Sequence, residues 1–240
     1  MNSNYLFGKK ALLDAINNDL KINHVYLSSK DGSIISELKK NQINFELKDS
    51  KFLDNLANNS NHQGVVFTLK FSNKAISINE LIDKLQSKTN ALILILDEIQ
   101  DVGNLGAILR SADAFAVDAI IYKKNNQASP FNEVVIKTST NAVSYLTLCE
   151  TPNLSNAIEK LKSIGFWVYA SCLDDKSVSY KKVSYANKSA IVIGNEQRGV
   201  SPLVIKNSDV TINIPQFGHV QSLNVSVATG ILLSEFKNKI

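Results

Sequence analysis

The chain reads as an α/β protein: a parallel sheet covered by helices on both faces, preceded by a smaller α/β unit. Three observations predict this. Short, almost wholly apolar strands such as Ala91–Leu96, Ala119–Tyr122 and Ala190–Ile193 suit the interior of a parallel sheet. Segments with the helical spacing of apolar residues alternate with them. A polar, turn-prone stretch, Phe71–Ser77, separates a first alternating set from the rest.

The first set gives a helix over Gly8–Asn18, a strand over His24–Ser28, a helix over Gly32–Lys40 and a strand over Ile43–Leu47. A helix over Ser50–Asn58 and a strand over Val65–Leu69 complete a three-stranded unit. The expected division is a small domain at 1–72, a linker and leading helix at 73–89, and a larger domain at 90–240. That larger domain opens after the helix Ile78–Ser87 with the strand Ala91–Leu96. Helix Asn104–Phe115, strand Ala119–Tyr122, helix Asn132–Ser139 and strand Tyr145–Cys149 follow. Helix Leu154–Ile164 and strands Trp167–Ser171, Ala190–Ile193 and Val210–Ile214 lead to a last helix, Ser222–Lys237. The polar runs Asn125–Ser129 and Asp174–Lys188 read as solvated loops.

Composition bounds the function. Of 240 residues, 44% are hydrophobic and 20% charged, which suits a globular protein with a real core. No apolar run reaches the length of a membrane span, and Met1–Tyr5 carries neither the basic nor the apolar region of a secretory signal, so a cytoplasmic protein is expected. Cys149 and Cys172 have no Cys or His partners at metal-ligand spacing, which argues against a zinc site and a disulfide framework. The net charge of +4 is compatible with RNA but too small to demonstrate it. Among 26 basic residues only Arg110 and Arg198 are arginines, and both fall inside the motif segments set out below. A planar fork that binds phosphate bidentately needs arginine, where solubility needs only lysine.

Three strand–loop–helix junctions carry the candidate chemistry. After Ala91–Leu96 comes Asp97-Glu98-Ile99-Gln100-Asp101-Val102-Gly103-Asn104-Leu105-Gly106-Ala107-Ile108-Leu109-Arg110. After Ala190–Ile193 comes Gly194-Asn195-Glu196-Gln197-Arg198-Gly199. After Val210–Ile214 come Pro215 and then Ser222-Leu223-Asn224-Val225-Ser226. Ser222 is expected to open a buried helix, with Asn224 and Ser226 as polar groups in its buried first turn. A Gly-x-Gly-x-x-Gly turn is missing after the first strand, which argues against a dinucleotide dehydrogenase.

The ordered triple, Asn-x-Gly-x-x-x-Arg, Gly-x-Glu-x-x-Gly and Ile-Pro with Ser-Leu-Asn-Val-Ser, resembles the motifs of the SPOUT methyltransferases, in their branch of RNA ribose 2′-O-methyltransferases. The resemblance implies a C-terminal trefoil knot and S-adenosylmethionine held across the knotted loops by Gly194, Ile214, Leu223 and Ser222. It also implies an N-terminal ribosomal-protein-like RNA-binding domain, whose boundary His62-Gln63-Gly64 matches, and a homodimer whose paired domains build the active sites. RNA is the implied partner, with no role for DNA, membrane or metal. The layout looks most like the bacterial enzyme that methylates a guanosine ribose in 23S rRNA, with a tRNA-directed relative as the alternative. A non-catalytic RNA-binding protein on the same scaffold is the rival from another class.

On this resemblance the catalytic residues are Arg110, Asn104, Glu196 and Asn224. A guanidinium is a very weak base, so Arg110 is expected to clamp the RNA phosphate and orient the hydroxyl. Asn104 can cap its helix or hold the ribose. Glu196 can order Arg110 or Asn224, or meet the RNA. Ser222 can complete the pocket or serve only as an N-cap. The chain departs from the family pattern at Val102, Ala116, Asn141, Gln197-Arg198 and Gln216, where proline, glycine, glycine, glycine and methionine are common.

Overall fold

The computed structural model describes residues 5–17, 20–29, 31–57, 61–69, 75–174, 176–219 and 222–239. The expected helix ends at Asn18 and Asn58 and part of the Phe71–Ser77 connection lie outside them. The chain forms two compact units, Met1–Asn73 and Lys74–Ile240.

The first unit runs β1 (Leu6–Phe7), α1 (Lys9–Asn17), β2 (Ile22–Leu27), α2 (Gly32–Lys40), β3 (Phe45–Leu47), α3 (Ser50–Leu56) and β4 (Val65–Leu69). Its sheet has the order β1-β4-β2-β3, antiparallel at β4 and parallel between β2 and β3. The strand β1 was not expected: two residues cannot show a period, and only the pairing of Leu6 with Phe67 and Phe7 with Val66 makes them a strand. β4 is buried along its whole length because helices cover both its faces. Leu12, Leu38 and Phe67 lie in the core under α1 and α2, and Leu53 and Ala57 meet Val66 on the other side.

His62 is a turn-holding residue. Its Nδ1 accepts the Gly64 N–H at 3.0 Å, which leaves Nε2–H to donate to Asp54 Oδ1 at 3.0 Å. Gly64 sits at φ +77°, and a Cβ there would lie 2.8 Å from Ser28 Oγ.

The second unit runs α4 (Ile78–Leu85), β5 (Ala91–Asp97), α5 (Val102–Ala114), β6 (Ala119–Lys123), α6 (Glu133–Thr138), β7 (Leu148–Thr151) and α7 (Leu154–Ser163). It continues with β8 (Trp167–Ser171), β9 (Val178–Ser179), β10 (Lys188–Gly194), α8 (Pro202–Asn207), β11 (Val210–Asn213) and α9 (Val225–Lys239). The sheet has the order β7-β6-β5-β10-β8-β11-β9, and every pairing is parallel. The central strands β5 and β10 are buried on both faces, as their unbroken apolar sequences require. The leading helix α4 belongs to this unit, since Leu81 and Leu85 sit in its core and Ile76 pairs with Cys149.

Two expectations change here. The Asp174–Lys188 run is not simply a solvated loop: β9 adds a seventh strand, and Tyr185 stacks on Phe236 with ring centroids 3.8 Å apart. Its polar sequence hid an aromatic anchor. The short helix α8 was also missed, because Pro202 at its first turn reads equally well as a loop residue.

Glycine sets one spacing that matters for the site. A Cβ on Gly106 would lie 2.6 Å from Thr138 Cβ and 3.1 Å from the Val135 carbonyl oxygen, so α5 and α6 touch through a residue with no side chain.

Candidate active site

Parallel pairing of β5 and β10 puts Gly194 opposite Asp97, so both strands end at one level of the sheet. The loops that follow rise side by side from the carboxyl edge, where open parallel sheets bind ligands. Asp97 is buried, and its Oδ2 accepts the Ser201 N–H at 2.8 Å, tying the first junction to the far end of the second.

In the first junction the cap of α5 is Asp101, whose Oδ1 accepts the Asn104 N–H at 2.6 Å. The helix therefore starts at Val102 rather than at Asn104, and Asn104 is not its cap. With its backbone N–H already satisfied by Asp101, Asn104 keeps its side-chain amide for other partners.

The second junction is a closed turn. Asn195 N–H donates to the Gly199 carbonyl at 3.0 Å and Gly199 N–H to the Asn195 carbonyl at 2.9 Å. Asn195 Oδ1 accepts the N–H groups of Gln197 and Arg198, and Gly199 takes φ +68°. The turn lifts Glu196 into solvent. A Cβ on Gly194 would lie 2.1 Å from Gly199 C and Val200 N, so the loop's own backbone already demands glycine there.

In the third junction the helix begins at Val225, and its cap is Asn224 instead of Ser222. Asn224 Oδ1 accepts from Ser226 N at 2.9 Å and Val227 N at 3.4 Å, while Ser222 is exposed. Nor is the first turn buried as expected: Asn224 is exposed and Val227 is 51% exposed. Only Thr229, Leu232, Leu233 and Phe236 of α9 are buried. The apolar sequence is real, but the described residues leave the helix start only partly covered.

These three junctions meet in one chain of hydrogen bonds. Asn224 Nδ2 donates to Asn104 Oδ1 at 3.0 Å, and Asn104 Nδ2 donates to Glu196 Oε1 at 3.3 Å. Each motif contributes one side chain. Glu196 reaches Asn224 only through Asn104, and it does not meet Arg110. Arg110 lies six residues beyond Asn104, about 9 Å along the helix axis and on another face. It is exposed and has no hydrogen-bond or ion-pair partner among the described residues.

Ile214 and Leu223 are half-buried beside these loops. Near them in sequence, Gln216 Oε1 is a buried acceptor with no partner among the described residues. Gln127 Nε2, in the loop after β6, is a buried donor in the same condition. Gln127 Oε1 accepts the Ile99 N–H at 2.8 Å.

One residue escaped the sequence reading. Glu98 takes φ +63°, and its carboxylate lies 2.6 Å from Lys123 Nζ and 3.3 Å from Arg198 Nη2. The Lys123 ammonium, helped by Asn126 and Arg198, holds this carboxyl below its usual range despite partial burial. Its only sequence signal was a charge directly after a buried strand. Arg198 is thus paired, although its side chain stays 69% exposed.

Comparison with known proteins gives two family matches. Residues 91–234 match the model of the SpoU rRNA Methylase family, and residues 5–75 match the RNA 2'-O ribose methyltransferase substrate binding model. A Mycoplasma genitalium protein named as a tRNA/rRNA methyltransferase is 43% identical over 97% of this chain and 96% of its own length. A Staphylococcus epidermidis protein named as a TrmH family tRNA/rRNA methyltransferase is 35% identical over 98% of this chain and 95% of its own. Among solved structures, the AdoMet-bound rRNA methyltransferase of Sinorhizobium meliloti shares the fold. Its TM-score is 0.82 at 23% identity, over 98% of this chain and 86% of that one.

Proposed function

The chain belongs to the SpoU rRNA methylase family, whose members methylate RNA, and from that premise we propose that it methylates a ribose 2′-hydroxyl using S-adenosylmethionine. A guanosine in 23S rRNA is the proposed target. The observation that carries the reading is the hydrogen-bonded chain Glu196–Asn104–Asn224, which gathers one polar side chain from each motif at the carboxyl edge of the sheet.

The residues at that edge fit the cofactor. Ile214 and Leu223, both half-buried, would offer apolar walls, Gly194 and Ser222 would offer backbone groups, and Gln216 Oε1, a buried acceptor with no partner among the described residues, would be left to pair with an adenine amino group. When bound, S-adenosylmethionine supplies a methyl group already activated by its positive sulfur.

The protein's share of the work is orientation. Arg110, exposed and unpaired among the described residues, is free to take an RNA phosphate bidentately and fix the neighbouring ribose. Glu196 spends one carboxylate oxygen on Asn104, and its Oε2 has no partner among the described residues, so it can accept the hydrogen bond of the ribose hydroxyl. Asn104 holds Glu196, and Asn224, itself fixed as the cap of α9, holds Asn104.

The same reading includes a homodimer and the trefoil knot of the family. The separation of Arg110 from the side-chain chain supports a site shared between two subunits, and the partly covered apolar start of α9 supports a second copy against it.

The test is to incubate the purified chain with methyl-labelled S-adenosylmethionine and unmodified 23S rRNA, 16S rRNA or tRNA, alongside Arg110→Ala. Ribose label in 23S rRNA that the variant loses is the expected result. Label in tRNA overturns the target while keeping the chemistry. RNA binding without transfer to any of the three favours the non-catalytic scaffold.

A further inference from the structure

Glu98 occupies a position that the three motifs leave without a role. Its backbone is left-handed, at φ +63°, a conformation an L side chain adopts only at a cost. That turn aims its carbonyl oxygen at Asn195, whose Nδ2 donates to it at 2.9 Å. The other end of the Asn195 amide, Oδ1, accepts the N–H groups of Gln197 and Arg198 and so shapes the turn that carries Glu196. The Glu98 carboxylate acts on the same turn from outside. Its side chain is 17% exposed, and one oxygen takes Lys123 Nζ while the other takes Arg198 Nη2. Three segments therefore converge on one residue: the end of β6, the loop entering α5, and the loop after β10.

We propose that Glu98 is a positioning residue for methyl transfer. Through Asn195 and Arg198 it sets the loop carrying Glu196 against the loop leading to Asn104, so that the 3.3 Å contact between those side chains forms. This rests on the methyl-transfer reading of the site. Arg198 acts here as the handle by which Glu98 grips the turn, and its contribution to RNA binding is secondary. An ordinary surface ion pair would contribute little and would not need a strained residue. The combination of left-handed backbone, partly buried carboxylate and the Asn195 amide distinguishes Glu98 from one.

The test is a double-mutant cycle on the full chain with Glu98→Gln, Arg198→Gln and the pair. Each single substitution is expected to slow single-turnover methyl transfer by about 10-fold, leaving the KM for RNA and the melting temperature in place. The pair is expected to be no slower than the slower single variant, because both remove one link. Hydrogen exchange at the Gln197 and Arg198 amides is expected to accelerate in Glu98→Gln. Multiplicative losses overturn the proposal. So does a raised RNA KM confined to Arg198→Gln, which would make that arginine an RNA contact. A fall in melting temperature that tracks the loss of rate also overturns it. If the unaltered chain methylates none of the RNAs, the function reading fails instead. The exchange measurement still decides the link, and unchanged protection in Glu98→Gln overturns it.

Discussion

Asn224 Nδ2 donates to Asn104 Oδ1 across 3.0 Å, although 120 residues of chain separate the two. Two helix caps make this contact possible. Asn224 spends its oxygen on the first N–H groups of α9, which leaves only its NH2 to face outward. Asp101 satisfies the backbone N–H of Asn104, which leaves that side chain to accept from Asn224 and donate to Glu196. Local capping thus fixes which way each amide points, and the site inherits that order.

Asn104→Ala removes the middle of the chain and is expected to slow methyl transfer by about 100-fold through loss of alignment. Stability should change by less than about 1 kcal/mol, since alanine is the better helix former and both lost hydrogen bonds are partly solvated. Single-turnover rates and thermal melts on one preparation check both halves. A variant with undiminished rate would remove Asn104 from the site.

Arg110→Lys keeps the charge but loses the planar fork, so it separates bidentate phosphate binding from simple attraction. Arg110→Ala is expected to raise the KM for RNA and lower the rate by about 100-fold or more, and Arg110→Lys to recover only a minor part. Affinity for S-adenosylmethionine, measured by calorimetry, should stay unchanged in both. Full recovery by lysine would contradict a bidentate clamp.

Much of this was legible in the sequence, and the limits have physical causes. Unbroken apolar runs gave β5, β6 and β10, because a strand buried on both faces has no other composition. Asn104 and Glu196 were readable as candidates through the motif resemblance, and Asn224 also as a polar group at the start of an apolar helix. Which residue caps which helix was not readable. Asp101 and Asn104 are both good caps, as are Ser222 and Asn224, and only the entry angle of the chain chooses between them. The resemblance gives Gly194 to the cofactor, and the packed backbone of Gly199 and Val200 supplies a separate structural reason for glycine there that no sequence pattern shows. Glu98 stayed hidden because a left-handed glutamate leaves no trace in composition.

Two departures from the family pattern fall on left-handed positions, Ala116 at φ +49° and Asn141 at φ +70°. Ala116 stands just after α5 in a paired-bond helix stop. Its N–H reaches the Asp113 carbonyl, and the Val117 N–H reaches that of Ala112, both at 2.9 Å. Ala116→Gly is expected to stabilise the protein by about 0.5–1 kcal/mol, the relief of the left-handed alanine less the added chain entropy of glycine. Denaturant unfolding of the two proteins measures the difference, and a destabilised variant would contradict the strain.

Cys149 gives a prediction in pH. It is fully buried in β7, and burial, reinforced by the carboxylates of Glu80 and Glu150, pushes its thiol up to about 12. A folded-state value raised above that of the unfolded chain means that the folded protein holds this proton more tightly. Its stabilising contribution is complete below the unfolded thiol value and is lost as pH rises from there through the folded value. Between about pH 8 and about pH 10.5 the unaltered chain should therefore lose about 2 kcal/mol more stability than Cys149→Ala, whatever that substitution costs at the lower pH. Lysines and tyrosines titrate in the same range but are common to both proteins, so the difference isolates the thiol. In the same window the thiol should resist alkylation until the protein unfolds, since the thiolate is the reactive form. Parallel losses in the two proteins, or rapid alkylation of the native chain, would mean that Cys149 is ionised at far lower pH than its burial requires.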